Sequence, residues 1–126
     1  MANRTFNPPR ALEKELIALP FRFSLSAAAA VVAGSTFGRG VTSVTKTGTG
    51  QYTVQLQDIF PAFLSADFTV RGTGTVVTVP ELRSQSVPTN GQLVIKTVTR
   101  STGAEADTAV AYEILCTIYV RNSTVA

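Results

Sequence analysis

The chain has 126 residues, of which 44% are apolar and only 15% charged, with a net charge of +3. A chain of this length folds as one domain and removes about two-thirds of its unfolded surface from water, enough for an unaided core. It has no His and a single Cys, which excludes Ser-His-Asp and Cys-His catalysis, a thiolate zinc site and an internal disulfide.

Residues 1–19 differ in pattern from the rest. Asn7, Pro8, Pro9 and Arg10 are held extended, because proline fixes its own φ and turns its predecessor away from helix. Residues 11–19 then read as two turns of helix, with Leu12, Leu16 and Leu19 on one face and Pro20 as the stop. A helix this short needs a docking surface. The expected division is therefore an N-terminal arm over 1–19 and a β-domain over 20–126.

From Pro20 the period becomes two. Phe21, Phe23 and Leu25 alternate with Arg22, Ser24 and Ser26, as in a half-buried strand. Residues 27–33 continue apolar and read as strand, with an Ala-rich helix as the rival. Residues 34–40, with three glycines, form a loop or bulged corner. Residues 41–46 are a strand, and 47–50 (TGTG) a tight connection. Tyr52, Val54 and Leu56 alternate with polar neighbours, so the two runs pair as a hairpin. Residues 58–64 (DIFPAFL) make a bend or a short turn of helix whose aromatics plug one end of a core.

Residues 67–71 are the next strand, Gly72 and Gly74 turn, and residues 75–79 are a strand stopped by Pro80. An extended piece over 81–87 leads to a PTNG turn at 88–91. Residues 93–99 are a strand and 101–108 a polar loop. Residues 109–120 form the longest strand, with Val110, Tyr112, Ile114, Cys116, Ile118 and Val120 on one face and Ala111, Leu115 and Tyr119 on the other. A strand apolar on both sides is central in its sheet or meets a partner. Six to eight strands with frequent turns predict an all-β fold, a compact antiparallel sandwich or barrel with an extended N-terminal arm.

Little in the chain points to catalysis, a cofactor or a metal. The glycine pairs 48/50 and 72/74 lack phosphate-loop spacing. The acids are dispersed, and Glu105 and Asp107 read as solvated loop charges. Arg39, Lys46, Arg71, Arg83, Lys96 and Arg100 stand singly, unlike the clustered cations of a nucleic-acid binder. No run is long enough to span a membrane, and the first residues do not resemble a signal peptide. Asn3 and Asn122 open glycosylation triplets, read as chance matches without secretion.

What remains is binding. Charged residues fall well below the ~25% of ordinary soluble domains, which leaves strand faces for other subunits to cover. The arm carries Arg4, Phe6, Pro8, Pro9, Arg10, Leu12, Leu16 and Ile17, none with a place in a period-two core. At about 3.3 Å per extended residue it can cross a domain with a radius of gyration of about 14 Å; the alternative is an arm folded on its own sandwich.

Three stretches, GTGQYTVQLQD (48–58), FPAFLSA (60–66) and YVRNSTVA (119–126), resemble small virion proteins of tailed bacteriophages. In that group a GTGxYTVxLxDxxPxLLSA segment is followed by more strands and an RNSSVA-like end. Phe63 and Thr124 depart from the pattern, and the arm lies outside it. The resemblance implies a capsid decoration (cement) protein on the outside of the virion. Its partners would be the major capsid protein and further copies of itself, commonly as a trimer, without nucleic acid or membrane. The alternative is another virion part: a head-fibre base, a tail or connector accessory, or a receptor-binding tip. Within this reading the eight arm residues named above make the capsid contact.

Overall fold

A computed structural model describes residues 16–38, 40–72 and 78–121. The strands are β1 (Leu16–Leu25), β2 (Phe37–Gly38), β3 (Val41–Gly48), β4 (Gln51–Leu56), β5 (Ala62–Arg71), β6 (Thr78–Ser86), β7 (Gln92–Thr99) and β8 (Tyr112–Arg121). One helical turn, α1 (Val87–Asn90), joins β6 to β7. Two four-stranded antiparallel sheets result, in the orders β2-β1-β8-β5 and β3-β4-β7-β6. The all-β sandwich expected from the alternating runs is what the chain forms.

Period-two alternation sends one set of side chains from each sheet into the space between them. Leu19, Phe21, Phe23 and Leu25 of β1 meet Tyr112, Ile114, Cys116, Ile118 and Val120 of β8 on one side. Val44, Tyr52, Val54, Leu56, Leu93 and Ile95 face them from the second sheet. Phe60 and Val87 join the same buried cluster, so the bend after β4 does help to plug the core. Each fully buried side chain of this size contributes about 1.5–3 kcal/mol from removal of apolar area from water.

Several local expectations change. The helix over 11–19 does not extend through residues 16–19. Leu16 begins β1, and β1 pairs with β8 without interruption from Leu16↔Arg121 to Leu25↔Tyr112. Pro20 lies inside that strand, opposite Thr117. The sandwich therefore includes residues 16–19, which the division at residue 20 assigned to the arm. Pro80, the expected stop, also lies inside a strand, the edge strand β6, opposite Thr97. An edge position tolerates proline because the missing N–H is not needed on the open side.

Residues 27–33 are not a strand. Ser26 N–H donates to the Ala30 carbonyl at 2.9 Å, and the Ser26 hydroxyl accepts from Ala28 N–H (3.2 Å) and Ala30 N–H (3.3 Å). A serine side chain that accepts from two backbone N–H groups competes directly with a strand ladder. The hairpin β3–β4 turns at Gly50, where φ is 64°. A Cβ there would come within 2.9 Å of the Ala106 backbone, so glycine is required by space as well as by conformation.

Candidate functional site

Among the described residues, two surfaces group polar and apolar side chains that the core does not use. The first is the outer face of the β2-β1-β8-β5 sheet. Because β1 and β8 pair residue for residue, Ala18, Pro20, Arg22 and Ser24 lie beside Tyr119, Thr117, Leu115 and Glu113. β5 extends the rows with Ser65, Asp67, Thr69 and Arg71. Leu16 is 48% exposed at one end of this face, and Phe37 is 55% exposed on its β2 margin. The Arg22 guanidinium sits 4.9 Å from the Phe37 ring centre, a cation–π contact.

Between Phe37 and β5 the face dips into a shallow depression of about 360 Å³, lined by Pro20, Arg22, Phe37, Asp67, Leu115 and Thr117 among others. β2 can lie this close because position 38 is glycine. Its φ is 146°, and a Cβ would overlap Phe21 and the Pro20 carbonyl. At the far end of the face Glu113 has a side chain only 13% exposed. Arg71 Nη2 lies 2.8 Å from its Oε1, and Arg22 Nη1 lies 3.7 Å from its Oε2. The Arg71 contact has the distance of an ion pair, yet Oε1 accepts no aligned hydrogen bond, so the attraction is mainly coulombic.

The second surface is the loop 100–108, folded over the β3–β4 turn. Asp107 Oδ1 accepts from Gly50 N–H at 2.7 Å, and Oδ2 accepts from Lys46 Nζ at 3.0 Å. Those two partners, the Gly50 N–H first, hold its carboxyl below the usual range. Glu105 accepts from Arg83 Nε at 3.2 Å and Gln51 Nε2 at 3.1 Å, and its carboxyl is lowered chiefly by the Arg83 hydrogen bond. Thr97 Oγ1 donates to the Ala106 carbonyl at 2.6 Å. Glu105 and Asp107 are exposed loop charges, as expected, and their partners make them fasteners as well. Only the crest of the loop, residues 100–104, is left exposed and without an ion pair.

Among the described residues no three His, Cys, Asp or Glu side chains are grouped to hold a metal. Cys116 is buried, and burial, with a smaller effect from the Asp67 charge, pushes its thiol up to about 12. It is a packing residue and not an activated nucleophile at neutral pH.

No known family, curated protein or solved structure matches this chain.

The expected contact residues are divided by the structure. Leu16 faces outward at the end of the apolar face, whereas Ile17 packs against the core. Arg4, Phe6, Pro8, Pro9, Arg10 and Leu12 lie outside the described residues. Sequence reasoning missed Phe37 and Arg22, because nothing in the local pattern says that residues 37–38 rejoin β1. Leu115 and Tyr119 did carry a signal, the apolar second face of the last strand, and β8 is indeed central in its sheet.

Proposed function

We propose that this chain is a structural adhesive of the capsid decoration type, attaching to the outside of a phage capsid shell and bracing it. The observation that carries the reading is the outer face of the β2-β1-β8-β5 sheet, where Leu16, Pro20, Phe37 and Leu115 supply apolar area beside Arg22 and Arg71. Apolar residues with interspersed arginines are the composition of protein–protein contact patches. The Phe- and Pro-containing N-terminal segment joins the sandwich at Leu16, the border of that same face. Face and segment together give two linked contacts, and linkage raises avidity by about 10²–10⁴ over one contact alone. The resemblance of residues 48–66 to phage virion proteins supports the choice of a capsid as the partner. A second reading, a receptor-binding virion tip, draws on the exposed loop crest at 100–104.

The test compares the full chain with a variant lacking residues 2–15, each incubated with shells and with tails of the parent particle and then sedimented. The boundary is 15 because Leu19 and Phe21 belong to the core. The full chain is expected to pellet with shells, and the folded truncated variant to remain in the supernatant. Equal pelleting of both removes the anchoring role from the arm. Pelleting with tails alone overturns the decoration reading.

A further inference from the structure

Three of the four sheet margins carry features that oppose pairing with another chain. β3 has two register breaks, between Val41 and Ser43 and between Lys46 and Gly48. β6 has Pro80 and a break between Leu82 and Ser84. On the β1 side, β2 covers Phe21 and Arg22 and Pro20 lacks an N–H. Bulges, prolines and short edge strands are the usual guards against edge-to-edge association.

β5 lacks these guards beyond its first residues. After the break between Phe63 and Ser65, residues 65–71 run in unbroken register with β8. The stretch contains no Pro, Gly or Lys. Among the described residues, no strand pairs with its other side. Its inward face is also incompletely covered. From Leu19 onward the inward residues of β1 are buried, as are those of β8, whereas Ala66, Phe68 and Val70 of β5 are only half-buried. A further strand laid along β5 would cover Phe68 and Val70 and satisfy the open backbone groups.

The outward residues of β5 identify that strand. They are Asp67, Thr69 and Arg71, all exposed. Set antiparallel to a copy of itself about Thr69, Asp67 stands opposite Arg71 of the second copy, twice over. Phe68 stands opposite Val70, also twice. Moving the axis to Phe68 sets Asp67 against Thr69 and Arg71 against Ser65, and both ion pairs are lost. Opposite charges directly across an antiparallel pair are stabilising and like charges destabilising. Arg71 has a side chain 71% exposed, so its fork can reach a second carboxylate while it stays beside Glu113.

We infer that β5 is a self-association edge: two copies of this chain join antiparallel through β5 about Thr69, with reciprocal Asp67–Arg71 ion pairs, forming a continuous eight-stranded sheet. The inference stands on the edge alone and does not depend on capsid binding. A two-fold edge is isologous, so every contact occurs twice and the assembly closes at two copies.

Sedimentation velocity of the full chain across the micromolar range tests this, with Asp67→Arg and Arg71→Asp as variants. Circular dichroism establishes that each remains folded. The parent chain is expected to be a dimer. Each variant alone sets like charges opposite one another and weakens dimerisation about tenfold or more. Mixing the two variants restores both ion pairs and regenerates a dimer containing one copy of each. A monomeric parent chain means that the β5 edge is closed within its own subunit, and overturns the inference. So does a trimer, or a dimer that neither substitution weakens.

Discussion

Tyr52 shows how much one side chain can fix. Its ring is fully buried, 6.2 Å from the Phe23 ring centre, and its hydroxyl donates to the Ala29 carbonyl at 2.6 Å. Ala29 is itself buried and holds a φ of 64°, which L-residues other than Gly, Asn and Asp seldom adopt. The tyrosine hydroxyl and the Ser26 hydroxyl thus turn an alanine-rich tract that, by composition alone, reads as strand or helix. Tyr52→Phe leaves the Ala29 carbonyl dry and unpaired, and is expected to cost about 1–3 kcal/mol. The midpoint of urea unfolding measures it, with the more exposed Tyr119→Phe as a control that shifts little. Burial also holds the Tyr52 phenol above its ordinary range. Its folded pKa exceeds its unfolded one, so this contribution is complete below about pH 10 and is lost as pH rises beyond it.

At the scale of elements, the loop 100–108 and the β3–β4 turn hold each other. Asp107 and Glu105 both have lowered carboxyl pKa values in the folded chain. Each therefore stabilises the fold above the unfolded carboxylate range, and that stability is lost as pH falls through about 4 and below. Asp107→Asn keeps an acceptor for Gly50 but removes the charge facing Lys46. Its Tm is expected to lie below that of the parent at pH 7, and the two thermal curves to converge on acidification. Parallel curves at all pH values would show that the Asp107 charge fastens nothing.

Strands β4, β7 and β8 were legible in the sequence because each has one face in the core, and that imprints a period of two. The start of β1 was obscured. Leu12, Leu16 and Leu19 have helical spacing, but the series that matters runs Ile17, Leu19, Phe21, Phe23 and Leu25 through Pro20. The prolines misled because their cost depends on which side of the strand lacks a partner, and that is a property of the sheet rather than of the segment. The candidate face was less legible still. Its make-up depends on β1, β8 and β5 being neighbours, a long-range fact that no local window contains.

For the whole molecule, Cys116 is a built-in probe of opening. It lies in the middle of β8, flanked by Phe21 of β1 and Phe68 of β5, so a reagent reaches it only when the sheet parts. With a thiol pushed up to about 12 by burial, labelling at pH 8 is expected to be at least about 10³-fold slower than in urea-unfolded chain, as the usual stability of a domain implies. Protection below about tenfold would reveal local release of β8 rather than a cooperative sandwich.

The place of β8 in the chain has a kinetic consequence. The strand pairings of the β3-β4-β7-β6 layer are complete at Thr99, with the loop 100–108 fastening its β3–β4 turn afterwards, whereas β1 and β5 both wait for residues 112–121 to pair. During translation one layer can zip up as it emerges, while the β1–β8 pairing that encloses Phe21 and Phe23 forms only once β8 has left the ribosome. Closure of the other layer is a long-range step that brings Leu16 against Arg121, and the nascent chain carries an unquenched greasy ribbon until β8 is made.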